Sequence, residues 1–509
     1  MRSLNIYTAI FTILLSTCAF KIATESQWQS KLVHIQSDGS LTYTPDEKGN
    51  QIPDFSYVGY HHGNTQIPEV KVVKSIAPDG TNDQQIIQQA IDEVSKLQPD
   101  KNGIRGAILL KRGIYKIPGT LQLQAGGVVL RGEGDQKEGT CLIATGKGQR
   151  SLLKINGQGK PASVEKTRTN ITNTYVGTGS FSVNVQNASQ FRAGDQVILY
   201  YPGSQNWISD LKMDQIETRK GTKQWQAEEY NLTFQREITK IEGNTLWLDN
   251  PIVMEINPKY TAAQVYAYTF PGRIGESGVE NIYFESEFQG DTDEDHGWIA
   301  IDFNNIENGW VRNITAVHFG YAAVSLGSQA KNITVKDSRC LDPKSIITGS
   351  RRYSFNNDGQ LNLFMNMETT YGRHDYVTGA KTLGPNVFFN GKTRQSQSDI
   401  GPHHRWAVGT VYDNIDTDGD IDIQDRGNYG SGHGWSGVTQ ILWNCKAKRA
   451  AVQSPWVSGL NYAIGLQGQK YPGRFTDRPD GFWEGQNKQD LNPSSLYLAQ
   501  LAARKIKEF

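Results

Sequence analysis

The strongest constraint on the fold is a run of short apolar segments separated by glycine-containing turns. Residues Gly106 to Gly134 read GAILLKRGIYKIPGTLQLQAGGVVLRGEG, which predicts several very short strands. After Gly275 similar segments recur roughly 20 to 33 residues apart, a spacing typical of a solenoid whose coils carry loops of variable length. The chain has 52 glycines and 18 prolines in 509 residues, which favours many strands and turns over long helices.

An amphipathic helix is predicted over Asn82–Leu97, between the turn APDGTND and these strands. This order of turn, helix and strands ending in GVVLRGEG resembles the start of the pectate-lyase-like superfamily of right-handed parallel β-helices. The resemblance implies that the helix caps the open end of the solenoid, which would otherwise expose apolar core and strand edges. We therefore expect an all-β fold: a single right-handed parallel β-helix with an N-terminal capping helix, an inserted antiparallel β-subdomain and a C-terminal helix.

Changes of pattern predict five segments. Arg2, a short apolar stretch and the run LLSTC predict an export signal, and LSTC resembles a bacterial lipobox. Lipidation of Cys18 and ordinary cleavage both remain open, so the protein is expected to be secreted, periplasmic or lipid-anchored at the cell envelope. The predicted bounds are 1–19 for the signal, 27–168 for the N-terminal region and first coils, 169–267 for the inserted β-subdomain, 268–470 for the main coils, and 471–509 for the C-terminal tail and helix.

Charge and cysteine content exclude several kinds of binding partner and a disulfide framework. The chain has 52 basic and 52 acidic residues, so no overall field would attract nucleic acid or an anionic membrane. The N-terminal apolar stretch is too short to span a bilayer. Cys141, Cys340 and Cys445 are widely spaced and are predicted to be free, buried thiols. We expect a monomer.

Three glycine-rich clusters carry most of the histidines of the predicted coils. They are GRHDYVTG (Gly372–Gly379), GPHHRW (Gly401–Trp406) and DRGNYGSGHGW (Asp425–Trp435). Equivalent positions on neighbouring coils of a parallel sheet lie about 4.7–4.9 Å apart. The clusters therefore predict one continuous polar groove, built from residues a full coil apart in sequence.

The superfamily resemblance implies an acidic polysaccharide or oligosaccharide as substrate and β-elimination as the reaction. In that reaction a base removes the C5 proton of a uronic acid and the group on C4 leaves. The C5 proton becomes acidic enough only when the uronate carboxylate is neutralised, as an arginine or a cation can do. Histidine suits the roles of base and acid near neutral pH.

The residue types suggest individual roles. We predict His404 as the base with His403 as its rival, because only one of two consecutive strand residues should face the groove. Asp375 would orient the His374 imidazole. The remaining predicted catalytic residues are Arg405 or Arg373, for the carboxylate, and His433, as acid or ligand; the predicted substrate-binding residues are Trp406, Arg426 and Trp435.

The sequence also leaves other activities, and a metal site, as alternatives. Asp399 and Asp375 could form the carboxylate pair of a β-helix glycoside hydrolase. The same elimination groups could remove water from a non-reducing-end uronate, as an oligosaccharide dehydratase would, and a non-catalytic sugar-binding β-helix is a further alternative. The segment Asp416–Asp425 has alternating aspartates but departs from the calcium-loop pattern, so no cofactor or metal is expected, with calcium as the less favoured alternative.

Overall fold

The computed structural model describes residues 27–507, and most of them form one long parallel β-helix. The predicted fold class is confirmed. The predicted export signal and Cys18 lie outside the described residues. The first strands of the described part form an antiparallel hairpin of β1 (Val33–Ile35) and β2 (Leu41–Tyr43), and the chain enters the solenoid at β3 (Val72–Ile76).

The capping helix α1 spans Asp83–Ser95, close to the predicted bounds. Its apolar face, with Ile87, Ile91 and Val94, is buried against the first coils, which closes that end of the core. The strands of these coils are β4 (Gly106–Leu110), β5 (Gly113–Ile117), β6 (Leu121–Leu123), β7 (Val128–Gly134), β8 (Thr140–Ala144) and β9 (Arg150–Asn156).

An antiparallel sheet follows and extends slightly beyond the predicted bounds of the insert at both ends. Its elements are β10 (Ala162–Ser163), β11 (Thr169–Asn170), β12 (Ser182–Asn184), β13 (Gln196–Tyr201), the short helix α2 (Gln205–Asp210), β14 (Leu232–Glu242), β15 (Thr245–Leu248) and β16 (Gln264–Thr269). Its own apolar core includes Trp207 and Trp225, and Trp406 and Trp435 from the β-helix join that core. The insert therefore packs against the coils that carry two of the histidine clusters.

The main coils comprise a long series of parallel strands. These are β17 (Ile274–Gly275), β18 (Gly278–Ser286), β19 (Gly297–Asn304), β20 (Ile306–Glu307), β21 (Trp310–Val317), β22 (Ala322–Leu326), β23 (Ala330–Lys331), β24 (Thr334–Leu341), β25 (Phe355–Asn357), β26 (Leu363–Thr370), β27 (Tyr376–Thr378), β28 (Leu383–Phe389), β29 (Lys392–Arg394), β30 (Asp399–Pro402), β31 (Ala407–Asp413), β32 (Asp416–Thr417), β33 (Asp420–Ile423), β34 (Gly437–Trp443), β35 (Lys446–Val452), β36 (Tyr462–Ile464), β37 (Gln467–Lys470) and β38 (Phe482–Glu484). The C-terminal helix α3 (Leu496–Lys507) follows, and the Ser495 hydroxyl accepts a hydrogen bond from the Leu498 N–H, as an N-cap does.

At one corner of the coils, stacked asparagines hydrogen-bond to each other through their side-chain amides. Asn390 Nδ2 donates to Asn366 Oδ1 at 2.7 Å, and Asn444 Nδ2 donates to Asn414 Oδ1 at 2.9 Å. All four residues have φ between 51° and 56°, a left-handed conformation that asparagine tolerates better than most residues. The corner thus turns the chain without leaving the amides unpaired.

Aromatic rings stack from coil to coil inside the solenoid. Phe388 lies between Phe364 and Tyr412, with ring centroids 4.7 and 5.3 Å away. All three side chains are fully buried. Cys141, Cys340 and Cys445 are free and buried, as predicted. Within the described residues no helix is long and apolar enough to cross a bilayer.

We expect Phe388→Ala to lower the free energy of unfolding by about 3–5 kcal/mol, because it removes a buried ring and leaves a cavity between two others. Urea unfolding followed by tryptophan fluorescence would measure the change. Phe288, which is 36% exposed, supplies the matched control as Phe288→Ala. Equal losses in the two variants would contradict the stacked core.

Candidate functional site

Three consecutive coils bring the histidine clusters together. The strands β27, β30 and β33 pair in parallel, with Val377 opposite Gly401 and Asp399 opposite Asp420. His374 lies just before β27, His403 just after β30 and Arg426 just after β33. Stacking of the coils therefore brings side chains from both ends of these short strands, distant in sequence, into one cleft.

Backbone hydrogen bonds join the two loops that carry His404 and His433. The Arg405 N–H donates to the His433 carbonyl at 3.1 Å, and the Trp406 N–H donates to the Trp435 carbonyl at 3.0 Å. Arg405 and Trp406 both have positive φ, 55° and 69°, so the chain turns sharply straight after the histidine pair. The two loops hold their imidazoles side by side.

The result is a cleft of about 510 Å³ that contains all four of these histidines. The His403 ring lies 4.4 Å from His374, 5.2 Å from His404 and 5.1 Å from His433, measured between ring centroids. The lining residues are Thr348, Gly349, Ser350, Tyr353, Arg373, His374, Ser398, Asp399, His403, His404, Arg426, Tyr429, Gly430 and His433.

Both members of the His403–His404 pair line the cleft, so the expectation that only one would face it is wrong. Strand alternation does not apply to them because β30 ends at Pro402. The chain then leaves the extended conformation, and Arg405 already has positive φ. His403 is nearly buried, with 8% exposure, whereas His404 is partly exposed.

Asp399, and not Asp375, orients His374. The His374 Nδ1–H donates to the Asp399 backbone carbonyl at 2.6 Å, and Nδ1 lies 3.8 Å from the Asp399 carboxylate. This bond places the proton on Nδ1 and leaves a lone pair on Nε2, which is buried without a partner. The Asp375 carboxylate instead accepts hydrogen bonds from Ser354 and Thr393 in the buried interior, because it faces the opposite side of the chain from His374.

Arg426 lies deep in the cleft and is paired with the Asp399 carboxylate. Burial alone would raise the pKa of Asp399, but the Arg426 guanidinium and His374 more than offset it and hold that pKa below its usual range. Asp399 is the only carboxylate among the lining residues. The cleft therefore has no free acidic group, and the predicted hydrolase pair of Asp399 and Asp375 does not form.

The four imidazoles are uncharged at neutral pH. Burial lowers the pKa of His404 to about 4, and the Arg405 and Arg426 guanidiniums act in the same direction. Burial likewise lowers the pKa of His374 to about 4 and that of His433 to about 3. The pKa of His403 falls far below its usual range, through burial and then through its neighbours His374 and Arg426. Neutral imidazoles can accept a proton.

Tyr353 is a lining residue that the sequence did not single out. It precedes β25, one coil before the GRHDY cluster, and its ring lies 5.1 Å from His374 and 5.4 Å from His403. Burial raises the pKa of Tyr353, and the Arg373 charge acts in the opposite direction. Its position in the run RRYSF, one coil before a histidine cluster, is the signal that could have identified it.

The two predicted stacking residues are inaccessible. Trp406 and Trp435 are both 0% exposed. Trp406 packs edge-on against Trp207 with centroids 5.0 Å apart, and Trp435 Nε1 donates to the Leu211 carbonyl at 3.2 Å. Both predictions are wrong because the insert covers these rings, and its docking could not be read from local sequence. Half-exposed Tyr429 lines the cleft in their place.

The aspartate-rich segment Asp416–Asp425 forms two strands and several ion pairs. Asp420 pairs with Arg449, Asp425 pairs with Arg478, and Asp422 accepts a hydrogen bond from the Tyr471 hydroxyl at 2.5 Å. Asp422 and Asp425 are buried. Between residues 27 and 507, no group of three His, Cys, Asp or Glu side chains is arranged to hold a metal ion.

No family model matches the sequence, and no curated protein is found to be similar to it. Solved structures with a similar course of chain include an alginate lyase from Paenibacillus sp. strain FPU-7, with 9% identity, a TM-score of 0.40, and coverage of 82% of this chain and 98% of that one. The tailspike gp61 of Pseudomonas phage phi297 has 12% identity, a TM-score of 0.35 and coverage of 78% and 72%. PfbA, a surface adhesin of Streptococcus pneumoniae, has 10% identity, a TM-score of 0.36 and coverage of 77% and 86%. Likenesses this distant carry no argument about activity.

We expect the His404 imidazole to titrate near pH 4, well below the ordinary value of about 6.5. Arg405→Gln should move that midpoint upward, because it removes a positive charge that opposes protonation. Proton–carbon NMR of the ring, assigned with His404→Gln, would measure both midpoints. An ordinary midpoint in the unmodified protein would contradict the burial of this group.

Proposed function

We propose that this protein is an exported enzyme that acts by β-elimination on uronic-acid-containing polysaccharides or oligosaccharides. One observation carries the proposal: four neutral imidazoles and two guanidiniums line a single cleft whose only carboxylate is already bound by Arg426. With neutral histidines, Arg373, Arg426 and Asp399 leave the lining with a net positive charge. A uronate carboxylate fits such a cleft, and the similarly sized cleft lined by Glu285, Glu287, Asp293 and Asp295 would repel it.

Arginine would hold the substrate carboxylate. The Arg373 Nη1 atom is buried without a hydrogen-bond partner, and so is the Nε atom of Arg426. Unpaired buried donors of this kind are costly in a folded protein and require an explanation. An anionic oxygen of the substrate would satisfy them, and the same contact would withdraw charge from the carboxylate and acidify the C5–H bond.

His404 is our candidate for the base. Of the two imidazoles with a pKa near 4, His404 is partly exposed and His374 is buried. His404 is therefore neutral at neutral pH and within reach of a substrate. In the proposed step its ring nitrogen takes the C5 proton, the C5–H electron pair forms the C4–C5 double bond, and the C4–O bond breaks. Tyr353 stays protonated because burial raises its pKa, so its hydroxyl can give a proton to the departing oxygen.

The leaving group decides between a lyase and a dehydratase. If C4 carries the next sugar, the chain is cut and an unsaturated end remains. If the uronate is at the non-reducing end, C4 carries a hydroxyl and water leaves. The base, acid and carboxylate contacts are the same in both cases, so the products and not the residues distinguish the two activities.

Product masses from a panel of uronate polysaccharides and their oligosaccharides would test the proposal. We expect unsaturated uronates from the unmodified protein and a loss of rate of roughly 100-fold or more in His404→Gln, because a positioned base contributes about that factor. His34→Gln, which changes a histidine of the N-terminal hairpin, is the matched control. Saturated products with water added, or products inverted at C5 without a double bond, would refute elimination.

A second test concerns the carboxylate contact. We expect Arg373→Ala to lower kcat/KM by roughly 100-fold, because the charge that develops on the carboxylate in the transition state loses a donor. Arg373→Lys should recover part of that loss, since it restores the charge without the forked geometry. Steady-state kinetics on the best substrate would measure both values. An Arg373→Ala variant with unchanged kcat/KM would remove this residue from the mechanism.

A further inference from the structure

A turn of the insert lies against the loop that carries His433. The Lys223 N–H donates to the Ser431 carbonyl at 3.0 Å, and Trp225 Nε1 donates to the Gly432 carbonyl at 3.2 Å. Arg219 Nη2 donates to the carbonyl of Gly430, a residue of the cleft lining, at 3.2 Å. Residues 218–223 are therefore held at the edge of the cleft, on the side of His433.

This turn carries three exposed cations, Arg219, Lys220 and Lys223. None of them forms an ion pair with a carboxylate in the described part of the chain, whereas exposed cations elsewhere, such as Lys240 and Lys259, do. The nearby Glu217 carboxylate accepts a hydrogen bond from Asn428 instead.

Arg405 adds a fourth cation to the same edge. Its Nη2 atom donates to the Ser431 carbonyl at 3.0 Å and to the Ser431 hydroxyl at 2.8 Å, next to the point where Lys223 is attached. The charge of Arg219 also reaches the cleft, since it contributes to the lowered pKa of His433 after burial, His404, Arg426 and Arg405. We call Arg219, Lys220, Lys223 and Arg405 the basic rim.

We infer that the basic rim is a second anion-binding subsite, for a carboxylate or sulfate group on a sugar unit next to the uronate held in the cleft. The inference rests on the proposed function, because the register of the substrate is set by the uronate in the cleft. Exposed cations bind an anion weakly one by one, and salt screens them strongly. A group of cations on a turn that is fixed by backbone hydrogen bonds can still distinguish a singly charged oligosaccharide from a multiply charged one.

The consequence is that the insert supplies three of the four cations that select the substrate, while the coils hold the reacting groups. An oligosaccharide with a single charge would occupy the cleft alone. One with charges on neighbouring units would occupy the cleft and the basic rim together, and would bind more tightly at low salt.

Binding affinity, measured on a variant that turns substrate over slowly, tests the inference separately from catalysis. Calorimetry on His404→Gln protein would use tetragalacturonate, tetramannuronate, a chondroitin tetrasaccharide with and without its sulfate ester, and a xylo-oligosaccharide that bears one glucuronate. The test variant adds Lys220→Ala and Lys223→Ala, which keep the Arg219 contact to Gly430. The matched control adds Lys101→Ala and Lys160→Ala, which remove two exposed, unpaired lysines elsewhere.

We expect the test variant to bind its best multiply charged oligosaccharide about fivefold more weakly at low salt, as two exposed charge pairs would predict. High salt should abolish the difference, and the singly charged oligosaccharide and the control variant should show none. A loss confined to the sulfated chondroitin would assign the subsite to sulfate, and a loss with the polyuronates would assign it to carboxylate.

Equal losses for singly and multiply charged ligands, or no loss at all, would overturn the inference. So would a failure of the His404→Gln protein to bind any of these oligosaccharides. The proposed function is judged separately by the products of the unmodified protein. Unsaturated products together with an unaffected test variant would therefore refute the subsite and keep the elimination.

Discussion

Hydrogen bonding between successive coils is the constraint on which the site depends. Parallel pairing of β27, β30 and β33 fixes the spacing between coils, and each of these strands is only three or four residues long. Side chains that flank such short strands at either end become neighbours on stacked coils whatever their separation in sequence. His374 and His403 lie 4.4 Å apart between ring centroids for this reason. The chemistry proposed for the cleft follows from that spacing.

The repeat made much of this arrangement predictable. The coil strands and the convergence of three histidine clusters followed from short apolar segments and their glycine turns. The helix followed from its apolar face, and its capping role from the superfamily resemblance. Local sequence could not reveal which side of the chain each side chain faces. Asp375 and Asp399 are both aspartates beside a strand, yet one is buried among hydroxyls and the other binds Arg426. A shift of one residue reverses the side of the chain that a side chain faces.

Long-range packing explains the remaining errors. Trp406 and Trp435 are aromatic residues in glycine-rich loops, a pattern also expected of sugar-stacking side chains. The insert covers both of them, and it begins more than 200 residues earlier in the chain, at Ala162. The same contact organises the cleft, because the insert turn that bonds to Ser431 and Gly430 supports the His433 loop. The packing of the insert on the coils therefore both buries the two tryptophans and positions His433.

The cleft lining carries more positive than negative charge. Four histidines are kept neutral by burial and by neighbouring guanidiniums, and the only lining carboxylate is occupied by Arg426. Such a cleft lacks the pair of carboxylates that glycoside hydrolysis ordinarily needs. It supplies proton acceptors beside positive charge, which is what removal of a proton next to a carboxylate requires.

The central claim is that this cleft breaks a C–O bond without adding water. Reaction of the best substrate in water enriched in oxygen-18, followed by mass spectrometry of the products, tests it most directly. The account predicts a new double bond, seen by ultraviolet absorbance, and no oxygen-18 beyond what the reducing ends of the same sugars exchange with that water without enzyme. Saturated products that carry one oxygen-18 for each bond cleaved would show hydrolysis and contradict it.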